Sequence, residues 1–266
     1  MDAWKKRFFA MALALGGCGS DSTDEGTESE AEAEAEAEAE SESEGESNVT
    51  CTGDVEGGTE ITVSGTIVDA LNDNRVAGAT IEVYDDADAL LCEGTGGGDG
   101  TYAITMAIAK AGFSGRLHIE AATYWAANIF SLATPITEDR ADLEILMVSE
   151  SAAEIQATLL GIEPDDTKGL AGMIVQSDPD DATSYLAGAV IDLEPADYEV
   201  RVYLGASGFP DESLTATSSA GTVVFANVDP GSYSGVATVD DAEFGTTLLE
   251  VYAKEFSGAV ILPADE

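Results

Sequence analysis

Few residues in this 266-residue chain have reactive chemistry. There is one histidine, His118, and there are three cysteines, Cys18, Cys51 and Cys92. A Ser-His-Asp centre would have to use His118 as its base. No Gly-x-Ser-x-Gly elbow accompanies it, and Gly112-Phe-Ser-Gly115 falls short of that pattern. His118 lies in the strand-like run Arg116-Leu-His-Ile-Glu120 and reads as a residue on or just beneath a sheet surface. The glycine-rich run 94–100 lacks the Lys-Ser/Thr of a phosphate loop and stands in a hairpin setting rather than ahead of a helix. Asp85, Asp86 and Asp88 follow a strand-like run, and Asp178, Asp180 and Asp181 cluster in a turn. Calcium is the one cofactor such clusters admit. It takes about six to eight oxygens, and neither cluster has the EF-hand spacing, so both read as solvated turn carboxylates. Tyr124, Trp125 and Phe130 stand close enough in sequence to stack on a sugar, although packing is the commoner use of such residues. These patterns predict no catalytic residue, no cofactor site and no metal site.

Cys18 has a different setting. Lys5, Lys6 and Arg7 precede an apolar run from Phe8 to Leu15, and Gly16 and Gly17 stand before the cysteine. This is the three-part layout of a secretory signal. The run is about half the roughly 20 residues that a membrane-spanning helix needs. Leu15-Gly16-Gly17-Cys18 resembles the lipobox of bacterial lipoproteins. That resemblance implies diacylglyceryl transfer to the Cys18 thiol, cleavage before Cys18 and N-acylation, with the acyl chains anchoring the protein in a membrane. Gly19 is not the Asp that marks inner-membrane retention in many enteric lipoproteins. The expected location is therefore the cell envelope, at the outer membrane or cell surface.

The chain carries 10 Lys+Arg against 52 Asp+Glu, a net charge of −42. Thirteen of those acids lie between Asp21 and Glu46, with no basic residue among them. From Asn48 onward 38 acidic residues still face seven basic ones. A field of that sign repels nucleic acid and anionic lipid, so a nucleic-acid partner is excluded. Residues 19–47 alternate Glu with Ala and Ser and hold no aliphatic side chain larger than Ala. Such a stretch cannot bury enough apolar surface to offset its ordering entropy, and a disordered, charge-extended tether is expected. With Cys18 assigned to lipid, Cys51 and Cys92 remain as an even pair in an oxidising, exported setting, where a disulfide between them is expected.

Beyond Gly57, short runs rich in Val, Ile, Thr and Tyr alternate with Gly/Asp/Asn/Pro clusters, the pattern of a β-sandwich. The pattern occurs twice. Gly65-Thr-Ile-Val68, a polar turn, and Val76-Ala-Gly-Ala-Thr-Ile-Glu-Val83 match Gly172-Met-Ile-Val175, a polar turn, and Leu186-Ala-Gly-Ala-Val-Ile-Asp-Leu193. Gly100-Thr-Tyr-Ala-Ile104 matches Gly221-Thr-Val-Val-Phe225, each glycine supplying positive φ to a tight turn. The second half adds Pro230-Gly231-Ser232-Tyr233, where the first has Ala111-Gly112-Phe113. Between the halves, Ser151-Ala-Ala-Glu154 reads as a capping box, with Gly161 as the helix stop.

In order and spacing these residues resemble the carboxypeptidase regulatory-like domain, a transthyretin-like sandwich. The resemblance implies a mainly β protein of two transthyretin-like or immunoglobulin-like sandwiches in tandem, joined by a short helix. The boundaries read as signal peptide 1–17, lipidated cysteine and acidic tether 18–57, first sandwich 58–148, helical linker 149–168 and second sandwich 169–266. In the enzymes that carry this domain, catalysis belongs to a separate zinc domain needing two histidines; one histidine cannot build it. The expected function is that of a non-enzymatic, membrane-anchored envelope lipoprotein displaying structural or binding modules with a protein or glycan ligand. The alternatives are a carbohydrate- or cell-wall-binding adhesion protein and a non-catalytic accessory subunit of a secreted peptidase.

Overall fold

A computed structural model describes residues 48–51, 58–70, 72–131, 135–178, 184–206 and 209–264. The expected signal segment, Cys18, the tether to Ser47, Asp180 and Asp181 lie outside them. The chain is mainly β, as the alternation predicts. In order it forms β1 (Asn48–Cys51), β2 (Thr59–Asp69), β3 (Thr80–Asp85), β4 (Leu90–Thr95), β5 (Thr101–Ile108), β6 (Gly115–Glu120), β7 (Ala126–Phe130) and β8 (Arg140–Met147). The helix α1 (Glu150–Leu160) follows. Then come β9 (Gly169–Val175), β10 (Val190–Glu194), β11 (Val200–Leu204), β12 (Pro210–Asp211), β13 (Thr222–Val228), β14 (Gly231–Val239), β15 (Ala242–Val251) and β16 (Glu255–Ile261). Among the described residues no helix is long and apolar enough to cross a membrane.

The repeat in the sequence is a repeat in the fold. In the first half β2 pairs with β5 and, in parallel, with β8; in the second β9 pairs with β13 and, in parallel, with β16. The opposing sheets repeat too, β3-β6-β7 against β10-β14-β15. The halves differ in their fourth strand. β4 joins β3, whereas β11 joins β13, on the other sheet.

The two sandwiches are not beads on a string. β7 pairs in parallel with β16, which also pairs in parallel with β9. One ten-stranded sheet results, in the order β1-β4-β3-β6-β7-β16-β9-β13-β11-β12, and two three-stranded sheets, β5-β2-β8 and β10-β14-β15, complete the sandwiches. Side-chain parity runs straight across the junction. Leu117 pairs with Ile129, and Ala127 with Phe256, on one face. That face is the inside of the first sandwich and the outside of the second, where α1 covers it through Ala152 and Ala153, packed in one cluster with Ile174, Val202 and Val224. On the opposite face Phe130 joins Ala171, Met173 and Ala259 in the core of the second sandwich. The small sheets therefore lie on opposite faces of the long one.

Local chemistry accounts for these elements. In β5, Tyr102, Ile104, Met106 and Ile108 are buried while Ala103, Thr105 and Ala107 are exposed, the period-two signature of a one-faced strand. β9 and β13 are buried on almost every residue because both their faces are covered. Gly100 and Gly221 adopt φ of 75° and 63°, as their turns require. At Gly65, between β5 and β8, an added Cβ would come within 1.7 Å of the Leu143 carbonyl oxygen. No other residue fits without parting the strands.

Two sequence expectations need correction. Asn48–Cys51, assigned to the tether, form the edge strand β1 on β4, where Val49 and Cys51 pack against the first core. The helix N-cap is Ser149, not Ser151. Ser149 holds an extended backbone (φ −67°, ψ 153°), fixed by a bridge to Tyr124, and its Oγ accepts from the Ala152 N–H. Ser151 lies inside the first turn, where its backbone is already helical.

Candidate functional site

The polar side chains gather on the face of the long sheet that is solvent-facing in the first half, directly over the β7–β16 junction. Strand alternation puts Arg116 and His118 on one face of β6. Register places His118 beside Asn128, and Asn128 beside Ser257 of β16. Asn128 is fully buried. Its Oδ1 accepts from Arg116 Nη1 at 2.9 Å and from His118 Nδ1 at 3.0 Å, and its Nδ2 donates to Glu255 Oε2 at 2.7 Å. This assigns the Nδ1 proton to His118 and fixes which way the Asn128 amide points. The other ring nitrogen, Nε2, lies 3.2 Å from Glu120 Oε1.

Arg116 also reaches past Asn128 to Asp88, Tyr84 and Tyr252. Its Nη2 donates to Asp88 Oδ1 at 2.8 Å. Its guanidinium lies 4.0 Å from the Tyr84 ring centroid and 5.3 Å from that of Tyr252, a double cation–π contact. Tyr84 donates to Glu82 Oε2 at 2.7 Å. That bond to a carboxylate, with partial burial, pushes the Tyr84 phenol up to about 12. Tyr252 is likewise pushed up, by burial first and then by its 2.8 Å bond to Glu250.

The array therefore spans β3, β6 and β7 of the first sandwich and β16, with the turn before it, of the second. Its ring nitrogens meet an amide and a carboxylate, not a hydroxyl or a thiol. The chemistry available here is cross-linking of the two halves by charge-assisted hydrogen bonds. Sequence reading placed His118 on the strand but missed Asn128, Glu255 and Tyr252. The detectable signal was a lone Asn inside the apolar run Ala126-Ala-Asn-Ile-Phe130, since a polar residue there must find buried partners.

The remaining sequence candidates are dispersed. Cys51 and Cys92 are joined in a disulfide that pins β1 to β4. Asp85 Oδ1 accepts from the Ala87 and Ala89 N–H groups, capping its own turn, and Asp88 serves Arg116. Among the described residues no three His, Cys, Asp or Glu side chains converge as a metal would need. Tyr124, Trp125 and Phe130 go to three different clusters: the first core, the layer under α1 and the second core. They present no common face to a sugar.

No protein-family model matches the chain, and no curated sequence does. Among solved structures, the Bacillus anthracis TIE protein is similar over 78% of this chain at 12% identity and a TM-score of 0.25, the chain spanning 35% of its length. The shaft pilin SpaA from Lactobacillus rhamnosus GG is similar over 79% of this chain and 99% of its own, at 12% identity and a TM-score of 0.24. Hydroxyquinol 1,2-dioxygenase from Pseudomonas putida DLL-E4 is similar over 35% of this chain and 57% of its own, at 15% identity and 0.24. Scores this low fix neither topology nor function, and the architecture rests on the strand order above.

Proposed function

We propose that the protein is a non-enzymatic lipoprotein of the cell envelope, acylated at Cys18, whose acidic tether presents the two sandwiches as one inseparable binding or spacer body. The observation that carries the reading is the shared ten-stranded sheet, which makes a single display unit of two repeated domains. Two sequence features support the rest: the Leu15–Cys18 tetrapeptide behind a positive and apolar leader, and the net charge of −42. The non-enzymatic part is supported by the way His118 is held between Asn128 and Glu120. The carboxypeptidase regulatory-like relationship is part of this proposal, supported by the twice-repeated pairing of β2 and β9 with parallel partners. Intact-mass analysis of the protein extracted from membranes tests it. A mature chain starting at Cys18 and carrying acyl mass is expected; a free amine there, or cleavage elsewhere, overturns the anchoring.

A further inference from the structure

The first sandwich contains a cavity of about 120 Å³ where its open side meets the second. Its walls are Val63, Leu117, Ile129 and Ile145 of the first sandwich, with Val260 and Leu262 from β16 and the residues after it. Arg140 and Glu144 also line it. So does Tyr102, which is 2% exposed, and whose hydroxyl is buried with no hydrogen-bond partner. A buried hydroxyl without a partner has given up its hydrogen bonds to water and gained none in return.

The second half of the molecule supplies an internal comparison. In the repeat, Gly100-Thr-Tyr102 corresponds to Gly221-Thr-Val223, so Val223 stands where Tyr102 does. Val223 is fully buried, in the second core, and brings no polar atom. The fold is therefore built at this position without a hydroxyl. The first half places one there, beside a void, against its own stability.

We propose that this cavity is a binding site for a small, neutral, largely apolar ligand carrying one hydrogen-bonding oxygen, which pairs with the Tyr102 hydroxyl. The volume suits a single ring, being close to that of engineered protein cavities of about 150 Å³ that take benzene. Neutrality follows from the wall: it carries one carboxylate, Glu144, and one guanidinium, Arg140, in a chain whose overall field repels anions. The site draws on both sandwiches, so it exists only while β7 and β16 are paired. It does not depend on acylation of Cys18.

The test uses the full chain carrying Cys18→Ser, which keeps acyl chains away from apolar ligands, with methyl-labelled Ile, Leu and Val for NMR. Phenol and toluene are titrated separately. Saturable shifts at the Ile129, Ile145 and Leu117 methyls are expected with both. Tyr102→Phe should weaken phenol about fivefold, the worth of one hydrogen bond, and leave toluene within about twofold. The toluene isotherm thus doubles as the folding control for that variant. Absence of saturable shifts with either compound in the parent chain, as for a void holding only water, overturns the proposal. So does a Tyr102→Phe change that alters phenol and toluene alike.

Discussion

Asn128 is the residue on which most polar chemistry of the junction converges. Replacing it with Ala takes one hydrogen-bond partner from each of Arg116, His118 and Glu255 at once, leaving Arg116 only Asp88 and His118 only Glu120. Asn128→Ala should cost about 2–3 kcal/mol in chemical denaturation; a loss under about 0.5 kcal/mol would mean the array is ornamental to stability. Tyr102→Phe should do the opposite. It removes a hydroxyl that has no partner, and the unliganded protein should be as stable as its parent or up to about 1 kcal/mol more so. Tyr84 makes a prediction in pH. Its folded pKa of about 12 exceeds the ordinary value of 10.0. Between those values the folded state keeps a proton that the unfolded chain has lost. The contribution is therefore complete below pH 10 and disappears as pH climbs towards 12. Ultraviolet difference titration should find a late-ionising tyrosine that returns towards 10 in Glu82→Gln. At this scale the sequence was partly legible. His118 on a strand and Cys51 with Cys92 as a pair follow from composition and alternation. The partners of Asn128 do not, because Glu255 lies 127 residues away and no local pattern announces such a contact.

Single elements show where local rules sufficed and where they failed. β5 and β3 could be drawn from alternation alone, and α1 from its capping-box pattern and Gly161. The N-cap slipped by two residues because serines stand at both 149 and 151, and the bridge from Tyr124 decides between them. Ser149→Ala should therefore cost about 1 kcal/mol, whereas Ser151→Ala should be neutral or stabilise by a few tenths, by thermal denaturation. Gly65 marks a tighter constraint. Gly65→Ala drives a methyl into the Leu143 carbonyl and should cost about 2–3 kcal/mol by forcing β8 away from β2. β4 and β11 illustrate what patterning cannot say. Both are short strands in the same place in the repeat, and a sandwich core is satisfied whichever sheet receives them. Each half chooses differently.

For the whole molecule, the shared sheet predicts shared fate. β16 is an edge for neither sandwich but an interior strand for both, so the described body should melt in one calorimetric transition. Ala259→Pro, which removes a ladder donor from β16, should lower both halves together; two separated transitions in the parent would contradict the coupling. The charge acts on the same scale. With 52 acidic residues against 10 basic, compaction opposes self-repulsion, and the melting temperature should climb as salt rises from about 10 mM to 1 M, where the screening length falls from about 30 Å to 3 Å. Parallel pairing of β7 with β16 was invisible in the sequence. The strands are far apart along the chain, and a central strand reads the same whether its neighbour belongs to its own sandwich or to another.

The position of the Cys51–Cys92 bond has a mechanical meaning. Any tension arriving along the chain from the N-terminal side enters the body at Asn48 and first peels the pairs Asn48–Thr95, Val49–Gly94 and Thr50–Glu93 one after another. At Cys51 the peeling stops at a covalent link. The load passes to β4, which is flanked on its far side by β3, and can proceed only by shearing a whole strand. Under an oxidising regime the molecule should resist being pulled open like a zip; once the bond is reduced, the same pull would strip β1 away entirely.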